Sequence, residues 1–539
     1  MATGTPGVRR SISDIQRDYD NGTKAPLENL MRAWKGIKDL PPSDPNSFFV
    51  IGGFHGEPFR GPGETDLAWW GGYCQHGTVL FPSWHRAYLW RLERALQSIP
   101  GCQDVMQPFW DECRDESREK GIPRALTDET FELDGQTIPN PLKSFLLPEG
   151  FVDKLPVDSN LNPTLYSKPK GYETVRYPLS GLVGTPDDQK ATASHNAQFS
   201  DAKKNVQLLN DNISTWLSGK IKVDGRWLGE VYHAFVTSLD APTYTLFSNT
   251  TSQRAWNKAH RTSLVSLEAP HNYIHLAVGG FDYPGAGSVS AIPGANGDMG
   301  ENDTAGLDPI FFFHHCFIDY AFWIWQRRHG ATDSFTIDAG DPGTKFTADV
   351  LPPTTMQPTD TLAMESPLDP FDKPDGSGRL TTNDCVNIET QMGYTYGPGS
   401  LDGFATSAAE TLMASRGAIE PGRTLRVSRI NRGKIRGSFL ITAFAKVDSK
   451  REYIGTEAIL SRWHVEGCMN CQNHLEATAQ FRMPTLADAT LMPAEAVEVE
   501  VEVRTRDGLL GGRAVSPRTA AKLMVTAERS DAPFLVELL

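Results

Sequence analysis

The most informative part of this 539-residue sequence is the stretch Asp308-Pro309-Ile310-Phe311-Phe312-Phe313-His314-His315-Cys316-Phe317-Ile318-Asp319. Asp308 is a suitable N-cap and Pro309 suits the first helical position, so the apolar run that follows predicts a buried helix. A buried imidazole needs a partner for its ring nitrogens, because leaving one unpaired costs roughly 1–3 kcal/mol. For His314 and His315, that partner is either a backbone carbonyl or a metal ion.

A second pair of histidines lies upstream, in the segment Glu268-Ala269-Pro270-His271-Asn272-Tyr273-Ile274-His275-Leu276. Gly279 and Gly280 follow, which predicts a short helix that ends at a glycine. His271 and His275 are four residues apart and therefore share one face of that helix. Together with one histidine of the later helix, they predict a three-histidine metal site.

A further group of histidines lies near the N-terminus, where His55, His76 and His85 are each surrounded by aromatic residues. Pro82 is expected to open the helix that carries His85. Six of the thirteen histidines thus fall into two groups of three. Neither group has an accompanying set of thiolates or carboxylates, so metals that prefer imidazole are favoured over magnesium or calcium. This chemistry leaves copper, zinc and iron open.

Two motifs in these segments resemble the paired copper signatures of the tyrosinase family. The first is His76-x4-Phe81-Pro82-x-Trp84-His85-Arg86-x2-Leu89-x3-Glu93. The second is Asp308-Pro309-x-Phe311-Phe312-x2-His315-x3-Asp319. The strongest resemblance is to fungal tyrosinases that are made as pro-enzymes with a C-terminal shielding domain.

The resemblance implies a dinuclear type-3 centre of two copper ions, with dioxygen as co-substrate. By position, one copper takes His55, His76 and His85, and the other takes His271, His275 and His315. His314 is left out, because the family motif places the ligand four residues before the aspartate. The implied activity is oxidation of monophenols and o-diphenols to o-quinones, the first step of melanin-type pigment formation.

Three other functions are compatible with the same histidines. A catechol oxidase would lack the monophenol step, a hemocyanin-like protein would only carry oxygen, and a zinc hydrolase would use another metal. Glu268 and Asn272 match family positions that hold a water able to take the proton of a phenol, which favours monophenol hydroxylation. Alternatively, Glu268 only stabilises the N-terminus of its helix.

The seven cysteines are an odd number, which suits a reducing compartment better than a disulfide framework. Cys74 stands two residues before His76, and the resemblance implies a thioether bond between them. Cys468 and Cys471 form a Cys-x-x-Cys motif, which alone is compatible with zinc binding, redox chemistry or a structural role. The remaining cysteines are expected to be structural: Cys102, Cys113, Cys316 and Cys385.

The chain is predicted to contain two domains of different class. Residues 1–400 are expected to form a mainly α catalytic domain, a helical bundle around the dicopper centre, followed by a linker at 401–419. Beyond it, apolar and polar residues alternate at 424–430, 438–447, 475–483 and 496–504, which predicts an antiparallel β-sandwich over 420–539. Tyr394 and Tyr396 resemble the motif at the end of the family's catalytic domain, where Arg9 or Arg10 is expected to stack on them.

The resemblance also implies that the C-terminal domain is a lid that keeps the enzyme latent. The segment 458–464 is expected to place an apolar side chain, Ile459 or Leu460, in the substrate pocket. Cys468 and Cys471 would then lie near the mouth of the pocket, where soft thiolates suit Cu(I) and could deliver it. Proteolysis between Gly397 and Arg416 is expected to remove the lid.

The net charge of −14 argues against nucleic acid or an anionic membrane as the main partner, because both require clustered cations. Neutral phenols as small-molecule substrates are compatible with it, and so is a homo-oligomer. Residues 1–10 lack the apolar core of a signal peptide, and no apolar run is long enough for a bilayer. We therefore expect a cytoplasmic protein that does not bind membranes.

Overall fold

The computed structural model describes residues 5–56, 72–152, 166–219, 221–223, 226–228, 230–284, 297–345, 361–406, 424–447, 450–465, 470–471, 474–482, 498–506, 508–515 and 534–538.

The described part of the chain up to residue 406 is mainly helical, as predicted. Its α-helices are α1 Ile12–Asp20, α2 Ala25–Asp39, α3 Phe48–Gly56, α4 Phe81–Ser98, α5 Asp115–Lys120, α6 Pro186–Asn196, α7 Ala202–Ser218, α8 Glu230–Ser238, α9 Tyr244–Ser248, α10 Thr250–His260, α11 Glu268–Gly279 and α12 Ile310–Arg328. No helix in the described ranges combines the length and the apolarity needed to cross a bilayer.

Short strands pair at the periphery of these helices. They are β1 Gly7–Arg9, β2 Thr130–Leu133, β3 Gln136–Pro139, β4 Phe151–Val152, β5 Ser167–Lys168, β6 Ile221–Val223, β7 Arg226–Leu228, β8 Pro367–Asp372, β9 Arg379–Thr381 and β10 Tyr394–Tyr396. Strand β1 pairs in parallel with β10, which ties the beginning of the catalytic domain to its end.

Helix α12 lies at the centre of the core, with every residue from Ile310 to Gln326 buried. The helix begins at Ile310, so Pro309 occupies the N-cap position and Asp308 precedes it, one residue later than predicted. Asp308 still accepts a hydrogen bond from the Ile310 backbone N–H at 3.1 Å. Its carboxylate is also bound by Arg176 at 2.6 Å, and this ion pair fixes it outside the helix.

The contact predicted between the two ends of the catalytic domain is confirmed for Arg9. Its guanidinium carbon lies 3.4 Å from the centroid of the Tyr394 ring. The Tyr394 and Tyr396 hydroxyls donate to Asp319 at 2.5 and 2.6 Å. Arg86 also donates to this buried carboxylate, at 2.6 Å. Asp319 of α12 is therefore bound to Arg9 near the beginning of the catalytic domain and to Tyr394 and Tyr396 near its end.

Residues 401–406 pack with the helical core rather than apart from it. Leu401 is buried, and the Tyr320 hydroxyl donates to Asp402 at 2.8 Å. The helical unit therefore extends a few residues beyond 400. The remainder of the predicted linker, from residue 407 to 419, lies outside the described residues.

The C-terminal part forms two antiparallel sheets around a shared apolar core, which confirms the predicted β-sandwich. The sheets have the strand orders β14-β11-β17 and β13-β12-β15-β16. Their strands are β11 Thr424–Asn431, β12 Phe439–Val447, β13 Lys450–Ile459, β14 Glu476–Arg482, β15 Glu498–Thr505, β16 Gly508–Val515 and β17 Leu535–Leu538. Of these, β13, β16 and β17 were not predicted.

Candidate metal centre

The second histidine triad is built by two helices of the core. His271 and His275 project from α11, and the Nε2 atom of His315 on α12 lies 3.2 and 3.3 Å from their Nε2 atoms. The Nδ1 atom of His275 donates to the Met299 carbonyl at 2.9 Å, and that of His271 faces the Asn272 Oδ1 at 3.0 Å. With Nδ1 protonated, the Nε2 lone pairs point at one another. Such an arrangement is suited to a cation held between them.

The first triad is assembled from three separate segments. His55 lies at the end of α3, His76 lies in the loop before α4, and His85 lies in α4. The Nδ1 atom of His85 lies 2.8 Å from the Phe81 carbonyl, and that of His55 lies 3.2 Å from the Asn302 carbonyl. All three Nε2 atoms are buried and lack a hydrogen-bond partner among the described residues. Their potential ligand atoms lie within 4.8 Å of one another, which fits a metal ion.

The two triads face each other across a short gap. The rings of His85 and His315 are stacked with centroids 4.3 Å apart, and those of His76 and His271 are 5.3 Å apart. Two metal ions held by these triads would therefore be neighbours that share one reactant. The site is dinuclear in its geometry.

Burial keeps these imidazoles in the form that binds metal. It lowers the pKa of His85 to about 3 and that of His275 to about 4. The pKa of His55 is also lowered, first by burial and then by the neighbouring histidines. Neutral imidazole is the species that coordinates a metal, so at neutral pH these histidines are already in the form that binds a metal ion.

His314 lies beside the second triad but faces another partner. Its Nδ1 atom is 2.6 Å from the Glu112 carboxylate, and both side chains are fully buried. Burial lowers the pKa of His314 and raises that of Glu112, so the neutral forms of both are favoured. The Nε2 atom of His315 lies 3.2 and 3.3 Å from those of His271 and His275. A potential ligand atom of His314 also lies within 4.8 Å of those of the other three, so His314 differs from His315 in its bond to Glu112 rather than in its distance from the group. Glu112 was not predicted, because its approach to His314 is a tertiary contact over 202 positions.

Glu268 and Asn272 both border the metal centre. The Oε1 atom of Glu268 accepts from the Gly77 backbone N–H at 2.8 Å, and Oε2 accepts from that of Thr250 at 2.8 Å. Burial raises the pKa of Glu268, and these hydrogen bonds act in the opposite direction. The carboxylate therefore braces the His76 loop against α10, while Asn272 orients His271.

Cys74 is buried beside the first triad and is not in a disulfide. Burial raises the pKa of its thiol to about 11. Its sulfur lies 3.5 Å from the Nδ2 atom of Asn302, whose carbonyl faces His55. The thioether to His76 stays a prediction.

The C-terminal sandwich lies over the centre, and a partly open cavity of about 310 Å³ lies between the two. His76, Glu268 and Asn272 line this cavity on the side of the catalytic domain, and Ile459 and Leu460 line it on the side of the sandwich. Side chains alternate along the end of β13: Ile459 belongs to the core of the sandwich, whereas Leu460 packs with the catalytic core. Of the two predicted residues, Leu460 is the one directed towards the catalytic domain.

Polar contacts also join the sandwich to the loop between the ligand helices α11 and α12. Arg462 is paired with Asp303 at 3.1 Å, and Arg506 is paired with Glu301, with all four side chains buried. The Tyr273 hydroxyl of α11 donates to the Thr456 carbonyl at 2.6 Å. These acidic residues were not predicted to contact the sandwich, because the spacing of the sequence does not indicate their partners.

The sandwich also contacts the loop that carries His76. Asn470 donates from Nδ2 to the His76 carbonyl at 2.8 Å and to the Cys74 carbonyl at 3.2 Å. Gly77 has a φ of 72°, and a Cβ there would lie 2.8 Å from the ring of His474, so glycine is required. Cys471 lines the cavity as predicted but is disulfide-bonded, not a free thiolate. Cys468 lies outside the described residues.

Comparison with known proteins agrees with this geometry. The family model described as the common central domain of tyrosinase matches residues 45–328. The chain is 48% identical to the tyrosinase HcTyr2 of a Hahella species, over 90% of each protein. It is 42% identical to a tyrosinase of Aspergillus oryzae, over 88% of each.

Solved structures extend the likeness to the whole fold. The tyrosinase of Burkholderia thailandensis at low pH superposes with a TM-score of 0.80 at 46% identity, over 99% of this chain and 100% of that one. A mutant pro-tyrosinase of A. oryzae, solved in its oxygen-bound form, has the same fold, with a TM-score of 0.60 at 18% identity over 96% of each chain. Since the family model covers more than half of the sequence, and both histidine triads lie within the matched residues, the chain belongs to the tyrosinase family of enzymes, which oxidise phenols at a dinuclear copper centre.

Proposed function

We propose that the two triads hold one copper ion each and that the enzyme oxidises both monophenols and o-diphenols to o-quinones with dioxygen. The observation that carries this proposal is the facing of two buried triads, in which the inward nitrogens of the first have no partner in the described part of the chain. When bound, the copper pair supplies the activation of dioxygen. The protein supplies the neutral ligands, the exclusion of water and the positioning of the phenol.

The test measures copper per chain together with tyrosine and catechol oxidation, before and after limited proteolysis. We expect two copper ions per chain and quinone formation from both substrates. Quinone from catechol alone would favour a catechol oxidase, and the absence of quinone from either substrate would favour an oxygen carrier. A preparation that is active with zinc and without copper would overturn the proposal.

Within this proposal, Glu268 takes the phenolic proton through a water that Asn272 helps to hold. Burial raises the pKa of Glu268, which makes the carboxylate a better proton acceptor than an exposed one. The Asn272 Oδ1 atom faces the ring of His271, so its amide nitrogen is the donor that would orient the water. A phenol is mostly neutral at pH 7, so a positioned base lowers the barrier to its binding as phenolate.

Glu268→Gln tests this role, because glutamine keeps the shape of the side chain but cannot take a proton. We expect a loss of monophenol turnover of about 10²–10⁴-fold and a much smaller loss with diphenols. Asn272→Asp is the companion variant, which retains an acceptor for His271. Equal losses with both substrates would refute the role, since Glu268 also braces Gly77 and Thr250.

The hydrogen bonds that Glu268 accepts from Gly77 and Thr250 favour a second candidate function, that of a catechol oxidase. Both carboxylate oxygens of Glu268 already accept backbone hydrogen bonds, which is the arrangement of a structural residue. The same Glu268→Gln variant separates the two functions. A catechol oxidase would oxidise the diphenol alone before and after this substitution, and the variant would lose stability without a selective loss of monophenol turnover.

We further propose that the C-terminal sandwich is a lid that keeps the enzyme latent. Leu460 and Ile459 at the cavity, and the buried pair of Arg462 with Asp303, support this role. Cleavage between 397 and 416 should therefore raise the activity on phenols severalfold. A full-length protein as active as the cleaved one would refute the lid.

Copper delivery by the Cys-x-x-Cys motif is a separate proposal. Because Cys471 is disulfide-bonded, a thiolate can form only after reduction. Copper loading of the reduced apoprotein should exceed that of the oxidised one, and Cys468→Ser/Cys471→Ser should lower loading under reducing conditions to the level of the oxidised protein. Normal copper uptake by the double serine variant would refute the role.

The thioether between Cys74 and His76 is tested by mass. A peptide that contains both residues should be lighter by two hydrogens after exposure to copper and oxygen. Alkylation of Cys74 in active, copper-loaded protein would rule out the bond.

A further inference from the structure

Asn302 lies where three parts of the protein meet: the first triad, the buried Cys74 and the lid. Its backbone carbonyl is 3.2 Å from the Nδ1 atom of His55, and its backbone N–H donates to the Ser461 carbonyl of the lid at 3.4 Å. The residue is only 4% exposed, and its side chain contacts Cys74. The first triad uses only the backbone of Asn302, which leaves the amide side chain for a separate role.

The amide of Asn302 holds the sulfur of Cys74. The Sγ atom lies 3.5 Å from Nδ2 and 3.9 Å from Oδ1, so the amide nitrogen is the closer donor. Burial raises the pKa of the Cys74 thiol, and hydrogen bonds from Asn302 and from the backbone of His76 oppose this shift. The sulfur is therefore held between two donors, one of which belongs to His76 itself.

The backbone of Cys74 is fixed independently of its sulfur. Its N–H donates to the His55 carbonyl at 3.4 Å, and its carbonyl accepts from the Asn470 amide at 3.2 Å. With the backbone held, the sulfur can change place mainly by rotation about χ1, which has three staggered positions. The hydrogen bond from Asn302 favours the position that the structure shows.

Asn302 is in turn held in place by the lid. Glu301 before it pairs with Arg506, and Asp303 after it pairs with Arg462 at 3.1 Å. All four of these charged side chains are buried. Ion pairs on both sides thus fix the stretch of backbone from which the amide reaches Cys74.

We propose that Asn302 is a positioning residue that holds the Cys74 sulfur beside His76 and so directs its oxidation to the carbon–sulfur bond. The inference rests on the copper centre and the thioether of the proposed function, and it names the residue that guides the bond. The bond forms at the expense of the S–H bond of Cys74 and one ring C–H bond of His76. Two protons and two electrons leave, and dioxygen takes them up as hydrogen peroxide.

The competing fate of this sulfur is oxygenation. A cysteine that can turn away from His76 is oxidised by peroxide to sulfenic and then sulfinic acid, which adds oxygen atoms instead of removing hydrogens. The two fates are distinguished by mass. Positioning by Asn302 should therefore change the ratio of the two products, whereas a merely structural role would lower the yield of both together.

The test loads full-length, metal-free protein with copper in air and follows the mass of the peptide that contains Cys74 and His76. Asn302→Ala removes the amide but keeps both backbone contacts, and Asn302→Leu also fills the space without a hydrogen bond. The matched control is Asn212→Ala, which removes another buried amide, one that donates to carbonyls near the C-terminus of α11.

In the unmodified protein and in the Asn212 control, we expect most of this peptide to become lighter by two hydrogens. In both Asn302 variants, the ratio of thioether to oxygenated peptide should fall on the order of tenfold, which corresponds to the loss of one hydrogen bond. The copper content should match that of the unmodified protein, because the backbone contact to His55 persists.

The outcomes separate this inference from the proposed function. An unchanged product ratio in the Asn302 variants, or the same fall in the Asn212 control, would overturn the inference. If the unmodified protein forms quinones but no peptide loses two hydrogens, the inference fails and the proposed copper function stands. If the unmodified protein binds no copper and forms no quinone, the proposed function fails, and the inference fails with it.

Discussion

The two histidine triads face each other but are built in different ways. The second takes its ligands from α11 and α12, which are buried from Glu268 to Gly279 and from Ile310 to Gln326. The first takes His76 from a loop that is held by Glu268 from within and by Asn470 of the lid from outside. The second triad is therefore fixed by the catalytic core, whereas the first depends in part on the lid.

The two triads should therefore differ in how they respond to movement of the lid. A rigid triad on helices retains its shape when the lid moves, and a triad that contains a loop ligand can respond to that movement. Opening of the lid should thus change the first metal site before the second. Four experiments test this difference.

The largest effect is expected at the second triad. His315→Ala should lower the copper content by one ion per chain and reduce phenol oxidation to background, because the remaining two imidazoles no longer enclose the metal. Metal analysis and a quinone assay measure both quantities. His314→Gln is the control: it retains a hydrogen bond to Glu112 and should keep both copper ions. The reverse pattern would transfer the ligand role to His314.

The next largest effect is expected on the free energy of unfolding, at the buried ion pairs of Asp319 with Arg9 and Arg86. Asp319→Asn removes the buried carboxylate that pairs with both Arg9 and Arg86, while Arg9 keeps its second partner, Glu93. Breaking such a buried pair costs about 3–5 kcal/mol of unfolding free energy. Thermal or denaturant unfolding of the full chain measures the loss. Asp18→Asn breaks the partly exposed pair with Arg10 and should cost at most about 1 kcal/mol. Similar losses in both variants would contradict the central role of the network.

The lid should loosen as the pH falls. Burial, followed by the charges of Arg432 and Arg254, lowers the pKa of His474 to about 3. An exposed imidazole titrates near pH 6.5, so the undocked lid binds more protons in the window from about 6.5 to about 3, and docking weakens as the pH falls through it. The change is at most about 1.4 kcal/mol per pH unit.

Protease cleavage of the linker reports on this docking. The ratio of cleavage rates between the unmodified chain and His474→Asn should rise on going from about pH 7 to about pH 4, because only the histidine titrates there. Using the ratio cancels the pH dependence of the protease itself. A ratio that does not vary with pH would show that His474 does not control docking.

The smallest effect is expected where the lid touches the first triad. Asn470→Ala removes two hydrogen bonds to the His76 loop, which are worth about 1 kcal/mol each. One copper ion should then be lost to a chelator several times faster, while the other is retained. Tyr273→Phe, which removes the lid contact to α11, is the matched control and should leave both rates unchanged. Faster loss of both ions from the Asn470 variant would remove the contrast between the triads.

The histidine groups could be predicted because metal binding favours a particular residue type at particular spacings, as for His271 and His275 on one helix face. The choice of His315 over His314 came from the family resemblance, which places the ligand four residues before Asp319. Glu112 and the Asn302 carbonyl orient neighbouring histidines through contacts distant in sequence, and no local pattern indicates them. Their discovery required the fold.

The sandwich was predicted less completely for a related reason. Strands such as β15 alternate clearly, whereas β13 contains Gly455 and charged residues on both faces, which hides its period. Without β13 the choice between Ile459 and Leu460 could not be made. The cytoplasmic location and the oligomeric state stay predictions, as do the roles of Cys468 and of the linker beyond residue 406.

The end of β13 belongs to two cores at once, with Ile459 in one and Leu460 in the other. Detaching the lid therefore uncovers apolar surface on both partners, a strip on the sandwich and a matching recess on the enzyme. Each fragment becomes prone to self-association at the moment of activation. We therefore expect the enzyme without its lid to aggregate. Aggregation, together with damage from the quinones that it produces, should limit how long it stays active.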